Sequence, residues 1–147
     1  MKIIKAKLKD YKKIAKLRKD TFNKIIGKYY SKKQIKDFHK QNPPKAILKK
    51  IKERDMFCLI NNNKILGVID LQGNKIGGFF IRYSQIKRGH GTKLLEFIEN
   101  YAKKKVIKKV ILYATKYAYK FYIKRGYKPS KLLKKDKPAI TKYFTKN

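Results

Sequence analysis

The sequence predicts an α+β fold in which helices flank a mixed, largely antiparallel sheet. Apolar residues recur at helical spacing in the first fifty residues. Residues 56–83 instead contain short apolar runs separated by turns rich in Asn and Gly, and alternating helical and strand patterns follow. Such an order is typical of a layered α+β architecture. The chain contains no repeat, linker or abrupt change of composition, so we expect one domain spanning residues 1–147.

The N-terminal part begins with a short strand at residues 3–8 and continues as helices. Asp10 is a suitable N-cap for the first helix. Spacings of three to five residues place an apolar set on its inner face: Ile14, Leu17, Phe22 and Ile25. Ser31 begins a second helix, which ends at the Pro43-Pro44 pair. A further turn or helix covers residues 46–51.

Three strands are predicted in the middle of the chain, at residues 56–60, 64–71 and 75–83. The polar turns between them indicate a meander of neighbouring antiparallel strands. Gly77 and Gly78 lie inside the third strand. Since paired glycines weaken a strand, they indicate a bulge or a close approach of the backbone.

The second half of the chain alternates between helix and strand. We expect a helix at residues 92–104, a strand at 109–113 and a short helix at 117–125 that Gly126 ends. The tail, including residues 139–145, supplies one or two last strands.

The charge of the chain is extreme, with 42 Lys and Arg against nine Asp and Glu and a formal net charge of +33. Three explanations remain open. The codon bias of an AT-rich genome explains many lysines, but it does not explain the shortage of Glu. A polyanionic partner, such as RNA, a nucleoprotein or an acidic membrane surface, would attract this charge. Adaptation to a cytoplasm of unusual ionic strength is the third.

Composition also argues against several classes of protein. No apolar run approaches the roughly 20 residues that a membrane span requires, so no membrane insertion is expected. The charged N-terminus does not resemble a signal peptide. Cys58 is the only cysteine, which excludes an internal disulfide, favours a cytoplasmic location and suits a small core residue. With two histidines besides, no structural metal site is expected.

An anion-binding loop is predicted at residues 85–92, between a strand and an amphipathic helix. Gly89 and Gly91 let successive backbone N–H groups converge, and the helix N-terminus adds unpaired donors and a positive dipole end. Lys87 and Arg88 bring positive charge, and Thr92 offers a hydroxyl. The spacing fits neither a P-loop nor a full Gly-x-Gly-x-x-Gly fingerprint.

Residues 118–127, AYKFYIKRGY, carry a second pattern that opens on a small residue and ends in a glycine and an aromatic. With this pair of motifs the chain resembles the GNAT superfamily of N-acetyltransferases. That family combines Gln/Arg-x-x-Gly-x-Gly/Ala with a later Ala-x-x-Phe-Tyr-x-x-x-Gly-Phe/Tyr segment. The resemblance covers residues 56–127 well and the N-terminal helices only in outline.

Two positions depart from the family pattern. Ile86 stands where the family has Gln or Arg, and Gln85 comes one position early, so Lys87 or Arg88 would supply the missing contact. Thr115 stands where an Asn often contacts the pantetheine arm, and its hydroxyl can still form a hydrogen bond.

The resemblance implies a GNAT-like acyl-CoA N-acyltransferase fold that uses acetyl-coenzyme A as cosubstrate and no metal. The strand around Phe80 and Ile81 would separate from its neighbour after Thr115, and the pantetheine would pair with its main chain. A backbone N–H near Ile81 would polarise the acyl carbonyl. The implied cofactor site comprises these residues with the loop and one aromatic: Phe80, Ile81, Ile86, Lys87, Arg88, Gly89, His90, Gly91, Thr92, Thr115 and Phe121.

Catalytic roles follow from the same resemblance. A primary amine would attack the thioester directly in a ternary complex. Tyr122 matches the usual general acid, with a core aromatic as the alternative. Asp70 is the nearest candidate for the general base, with a solvated charge at the strand end as the alternative. His90 would face the phosphates or solvent, so it is not expected to act as the base.

The acceptor stays open between a protein N-terminus or lysine, a small amine and an aminoacyl-tRNA. The positive charge disfavours free polyamines and favours RNA, ribosomal or acidic protein partners. Related enzymes are frequently dimers, so a homodimer is compatible with the resemblance. The alternative from another class is a catalytically degenerate GNAT-fold module that binds RNA or another polyanion.

Overall fold

The structure is a computed structural model that describes residues 1–134 and 137–144. These residues contain seven strands: β1 Lys2–Lys5, β2 Asp55–Asn61, β3 Lys64–Gln72, β4 Lys75–Ile81, β5 Lys109–Tyr113, β6 Lys128–Lys134 and β7 Lys137–Tyr143. They form one sheet in the order β1-β2-β3-β4-β5-β7-β6. Every neighbouring pair is antiparallel except β4 and β5, which are parallel. The predicted mixed, largely antiparallel sheet is confirmed.

Five α-helices occur in the same residues: α1 Tyr11–Lys24, α2 Lys32–Gln41, α3 Pro44–Glu53, α4 His90–Lys104 and α5 Tyr119–Lys124. α1 and α3 pack together on one face of the sheet, and α4 packs on the other. No helix within the described ranges is both long enough and apolar enough to cross a bilayer.

The start of α2 shows why the sequence predicted it correctly. Ser31 Oγ accepts a hydrogen bond from Gln34 N at 3.1 Å, and Ser31 N donates to Gln34 Oε1 at 2.8 Å. This reciprocal capping box satisfies two backbone donors and fixes the first turn. Asn42 ends α2, and Pro44 begins α3, where its missing N–H costs nothing.

Several boundaries differ from the prediction. β1 is shorter, because Leu8 lies in a 3₁₀ turn and is 49% exposed. β4 ends at Ile81, because another 3₁₀ turn occupies residues 83–85. α4 begins two residues early, at His90, because Gly89 adopts φ +83° and serves as its N-cap. In the predicted last strand, Thr145 lies outside the described residues.

The core has two apolar clusters, one on each face of the sheet. Val68 packs with Ile14 and Ile47 on the α1 and α3 side. Ile69, the next residue of β3, packs with Leu94 on the α4 side. Since successive strand residues point to opposite faces and both faces are covered, β3 reads as a nearly continuous apolar run.

The reactivity of the Cys58 thiol provides a test of this packing. This thiol is 2% exposed, and burial, with the nearby Asp10 carboxylate, raises its pKa to about 12. Because the thiolate is the nucleophile, we expect the folded protein not to react with a maleimide at pH 8. One thiol per chain should react after denaturation, as mass spectrometry would show. Rapid labelling of the folded protein would contradict the buried position.

Candidate active site

The site begins where β4 and β5 part. They share one ladder position, Lys75 opposite Ile111, beside a hydrogen bond of 2.9 Å from Ile111 N to Asn74 O. The strands therefore separate at Ile111, earlier than the predicted point after Thr115. A cavity of about 820 Å³ lies in the gap.

A β-bulge shapes the middle of β4. Gly77 lies opposite Asp70, whereas Phe80 lies opposite Val68, so Gly78 and Phe79 together face a single residue of β3. Gly78 has φ +52°. A Cβ there would collide with Asp70 Oδ2 and lie 3.0 Å from Arg18 Nη1. The paired glycines are thus explained by both a bulge and a close approach, as predicted.

The main chain at the end of β4 faces the gap. Arg82 N donates to Leu66 O of β3 at 2.7 Å. Because main-chain groups alternate in direction along a strand, those of Phe80 also face β3, and those of Ile81 face away from it. Thr21 Oγ1 accordingly donates to Ile81 O from α1, at 2.8 Å. The Ile81 N–H is therefore directed into the gap.

The predicted anion loop follows. Lys87, with φ +64°, and Gly89, with φ +83°, turn the chain sharply into α4. The first bond within the helix runs from Lys93 N to Gly89 O at 3.1 Å. The N–H groups of residues 90–92 precede it and have no partner within the helix. They sit at the positive end of the α4 dipole, as an oxyanion site requires.

Arg125 braces this loop from α5 and was missed by the sequence analysis. Its Nη2 donates to Thr92 Oγ1 at 2.7 Å, and its Nη1 donates to Phe121 O at 2.9 Å. The guanidinium lies 3.7 Å from the centroid of the Phe121 ring. Nε is buried without a hydrogen-bond partner. The signal was present, because Arg125 lies inside the second motif.

Ten of the predicted cofactor residues line the cavity: Phe80, Ile81, Ile86, Lys87, Gly89, His90, Gly91, Thr92, Thr115 and Phe121. Arg88 does not line it. His90 is 7% exposed and does not face open solvent; burial, with Lys93 and Arg88, lowers its pKa. Thr115 Oγ1 accepts from Ala118 N at 3.3 Å, which holds the turn before α5.

Tyr122 lines the same cavity from α5. Its ring packs against Phe79, Phe121 and Tyr127, with centroids 5.4 to 6.2 Å away. Burial raises the pKa of its phenol well above the usual value. The side chain is therefore a core aromatic that also keeps its proton at neutral pH.

Asp70 differs from both descriptions that the sequence suggested. It is 1% exposed, so it is not a solvated charge at a strand end. It also does not line the cavity, because it lies behind Gly77 and Gly78. Oδ1 is 3.4 Å from Arg54 Nη1, and Oδ2 has no hydrogen-bond partner. Burial raises the carboxyl pKa, and Arg54 and Arg18 oppose that shift.

A basic cluster lines the cavity beside the β4 bulge, and the sequence analysis missed it. Arg18 is 5% exposed, lies 4.8 Å over the Phe80 ring and donates to Asn42 Oδ1. Lys50 donates to the same oxygen, and Arg54 lies alongside. Burial lowers the pKa of Arg18 to about 10 and that of Lys50 to about 8.

Two sequence signals could have revealed this cluster. Arg18 interrupts the apolar face of α1 between Leu17 and Phe22. Arginine is also rare, at five of the 42 basic residues. Three of the five line the cavity, and the other two, Arg82 and Arg88, lie in the segment between β4 and α4. Within the described ranges, no group of three or more His, Cys, Asp or Glu could hold a metal ion.

Comparisons with known proteins show which family this chain matches and which structures share its fold. The sequence profile of the acetyltransferase (GNAT) domain family matches residues 26–137. No curated protein sequence gives a significant match.

Solved structures of N-acetyltransferases superimpose over nearly the whole chain. The PaiA N-acetyltransferase from Thermoplasma acidophilum, in complex with coenzyme A, is similar with a TM-score of 0.85 and 18% identity, covering 97% of this chain and 98% of that one. A GCN5-related N-acetyltransferase from Rhodopseudomonas palustris gives 0.88 and 16%, covering 97% and 95%. A GNAT acetyltransferase from Staphylococcus aureus Mu50 gives 0.76 and 16%, covering 97% and 98%. These similarities establish a shared fold.

The bulge predicts a contrast between two glycines. Gly73 and Gly78 both have positive φ, but a Cβ at Gly73 would have nothing within 4 Å. We expect Gly73→Ala to lower the free energy of unfolding by about 1 kcal/mol through backbone strain alone. Gly78→Ala should cost clearly more, because its methyl group displaces Asp70 and Arg18. Equal losses in urea titrations would contradict the close approach.

Proposed function

We propose that this chain, which belongs to the acetyltransferase (GNAT) domain family, transfers an acetyl group from acetyl-coenzyme A to a primary amine by direct attack in a ternary complex. The observation that carries the proposal is convergence on one cavity. The unpaired N–H groups of residues 90–92, the Ile81 N–H and the Tyr122 phenol all meet it. Its volume of about 820 Å³ is in the range of small-molecule and cofactor sites.

The phosphates of coenzyme A fit the loop at the start of α4. Backbone N–H groups of residues 90–92 would hold the diphosphate, and Lys87 and Arg125 would add charge. These two side chains thereby replace the polar contact that Ile86 lacks. The pantetheine arm would lie in the gap between β4 and β5, where its amides can pair with the main chain of Ile81 and its neighbours. The solved relative from Thermoplasma acidophilum was crystallised with coenzyme A.

The chemical step needs charge stabilisation and a proton. The Ile81 N–H is suited to polarise the thioester carbonyl, because it points into the gap and has no β3 partner. Tyr122 is suited to protonate the departing thiolate, because it lines the cavity and its phenol carries a proton at neutral pH. The packing of its ring against Phe79, Phe121 and Tyr127 would hold the phenol in place.

Asp70 is the candidate general base only through an intervening water. Its carboxylate lies behind Gly78 rather than in the cavity, so it cannot reach the amine directly. The missing side chain of Gly78 leaves Oδ2 close to the cavity wall. Burial raises the pKa of Asp70, which makes it a stronger base than an exposed carboxylate.

The net charge of +33 supports a second candidate, a polyanion-binding module on this fold. Exposed aromatics accompany it: Tyr29 and Tyr117 are 49% and 37% exposed, and their ring centroids are 6.1 Å apart. Basic surfaces with exposed aromatic rings suit single-stranded nucleic acid. The same charge favours RNA-bearing, ribosomal or acidic protein partners for an active enzyme.

Binding of acetyl-coenzyme A separates these candidates. At 100 times its dissociation constant it should stabilise the folded protein by about 2.7 kcal/mol, seen as a rise in melting temperature. Arg125→Gln should reduce the rise, because Arg125 braces the phosphate loop. Lys19→Gln removes one exposed charge from α1, so it should leave the rise in melting temperature unchanged. No stabilisation of the unmodified protein would overturn the enzyme proposal.

Tyr122→Phe tests the proton donor. We expect kcat to fall by about 10²-fold, because general acid catalysis contributes at least that much. The KM for acetyl-coenzyme A and the melting temperature should hardly change, since the ring packing is kept. Tyr119→Phe, on the same helix but outside the cavity, is the matched control. Full turnover by Tyr122→Phe would remove Tyr122 from the mechanism.

A further inference from the structure

The cavity carries positive charge at two separate places. Lys87 and Arg125 lie at the loop, where the proposed cofactor phosphates bind. Arg18, Lys50 and Arg54 lie near the bulge in the middle of β4. No Asp or Glu is among the described residues that line the cavity. One set of phosphates therefore does not account for both groups of cations.

Two cations of the second group, Arg18 and Lys50, share one uncharged hydrogen-bond acceptor. Asn42 Oδ1 accepts from Arg18 Nη2 and from Lys50 Nζ, both at 3.1 Å. Asn42 Nδ2 donates to Phe38 O at 2.8 Å, which directs the amide oxygen toward the cations. An amide oxygen positions these charges but does not neutralise them.

The nearby negative charge is insufficient. Among the residues that the structure describes, Asp70 is the one carboxylate beside Arg18, Lys50 and Arg54, and its Oδ1 pairs with Arg54 at 3.4 Å. Three cations thus face one anion in a largely buried position. Buried charge without a partner is costly, and the lowered pKa of Lys50 reflects this.

Hydrogen-bonding capacity is left over at the same place. Arg18 Nε and Nη1 and Arg54 Nε are buried and have no partner, and neither does Asp70 Oδ2. Arg18 Nη1 and Asp70 Oδ2 both lie next to Gly78, but only Arg18 lines the cavity. The guanidinium is a donor that suits an oxyanion. A ligand that brings an oxyanion to this place would satisfy the free donors of Arg18.

We propose that Arg18, assisted by Lys50 and Arg54, binds an oxyanion of the acceptor, so that the acceptor is a small amine bearing a nearby carboxylate or phosphate. The inference rests on the proposed acetyl transfer and names the substrate class of that site. A small acceptor follows from the burial of Arg18, which only a compact group can reach. The position beside the β4 bulge, away from the phosphate loop, leaves the cofactor site free.

The test is an acetylation assay with matched amines. Glycine, glutamate and O-phosphoethanolamine carry the oxyanion, glycinamide and ethanolamine are counterparts that lack it, and putrescine is a dication. We expect kcat/KM to be at least tenfold higher for oxyanion-bearing amines than for their counterparts. The comparison of glycine and glutamate with O-phosphoethanolamine also shows whether a carboxylate or a phosphate is preferred. Equal or better use of the amines without an oxyanion, or exclusive use of peptides or aminoacyl-tRNA, would overturn the inference.

Variants show whether the cluster causes the preference. Arg18→Gln should raise the acceptor KM by at least tenfold more for oxyanion-bearing amines than for amines that lack an oxyanion. Lys50→Gln, at a less buried position, should shift the acceptor KM in the same direction. It serves as the test if Arg18→Gln does not fold. Lys19→Gln removes an exposed charge of the same helix and should keep the preference. Loss of the preference for oxyanion-bearing amines in Lys19→Gln would contradict the role of the cluster. The same holds if the preference persists in both Arg18→Gln and Lys50→Gln.

Failure of the inference differs from failure of the proposed function. Melting temperatures with acetyl-coenzyme A should rise equally for the unmodified protein and Lys50→Gln, because the cluster is outside the phosphate loop. If acetyl-coenzyme A does not stabilise the unmodified protein, the acetyl transfer itself is wrong. If it does, and the amines show no oxyanion preference, only the acceptor class is wrong.

Discussion

The separation of β4 from β5 is the constraint on which the site depends. Two parallel strands in the middle of a seven-stranded sheet normally pair along their length, yet here they share one ladder position. Backbone groups in the interior cannot be left without partners at no cost. The exposed edge of β4 is therefore both a local weakness of the sheet and a ready template for an extended ligand. The remaining strand pairs, with apolar clusters on both faces, hold the two halves of the sheet in place around the gap.

The bulge at Gly78 connects this edge to the interior. Because Gly78 lacks a side chain, the buried Asp70 carboxylate and the Arg18 guanidinium both come close to the strand that lines the cavity. Helix α1 is tied to the same strand by the bond from Thr21 to Ile81 O. The N-terminal helices thus do more than cover the sheet. They bring charge to the wall of the cavity that the C-terminal half leaves open.

The high positive charge acts on two scales. Most lysines are on the surface, where charge influences solubility and encounter with polyanions rather than the chemistry of a site. The few arginines are placed differently, at the cavity or in the segment that leads into α4. Arginine keeps its charge when buried and presents a planar set of donors, whereas the pKa of a buried lysine falls readily. Arg18 and Lys50 show this difference side by side.

The sequence by itself determined most of the helices and strands, the loop before α4 and the Tyr122 segment, because these depend on local periodicity, capping and glycine placement. Ser31 and the strand at residues 109–113 were predicted closely for that reason. Only the tertiary structure decided which charges meet at the cavity. Arg18, Asn42, Lys50 and Arg54 come from three different places in the chain, and Asp70 was expected either as the general base or as a solvated charge at a strand end. Their roles depend on burial and on distances across the sheet, which no local pattern of residues encodes.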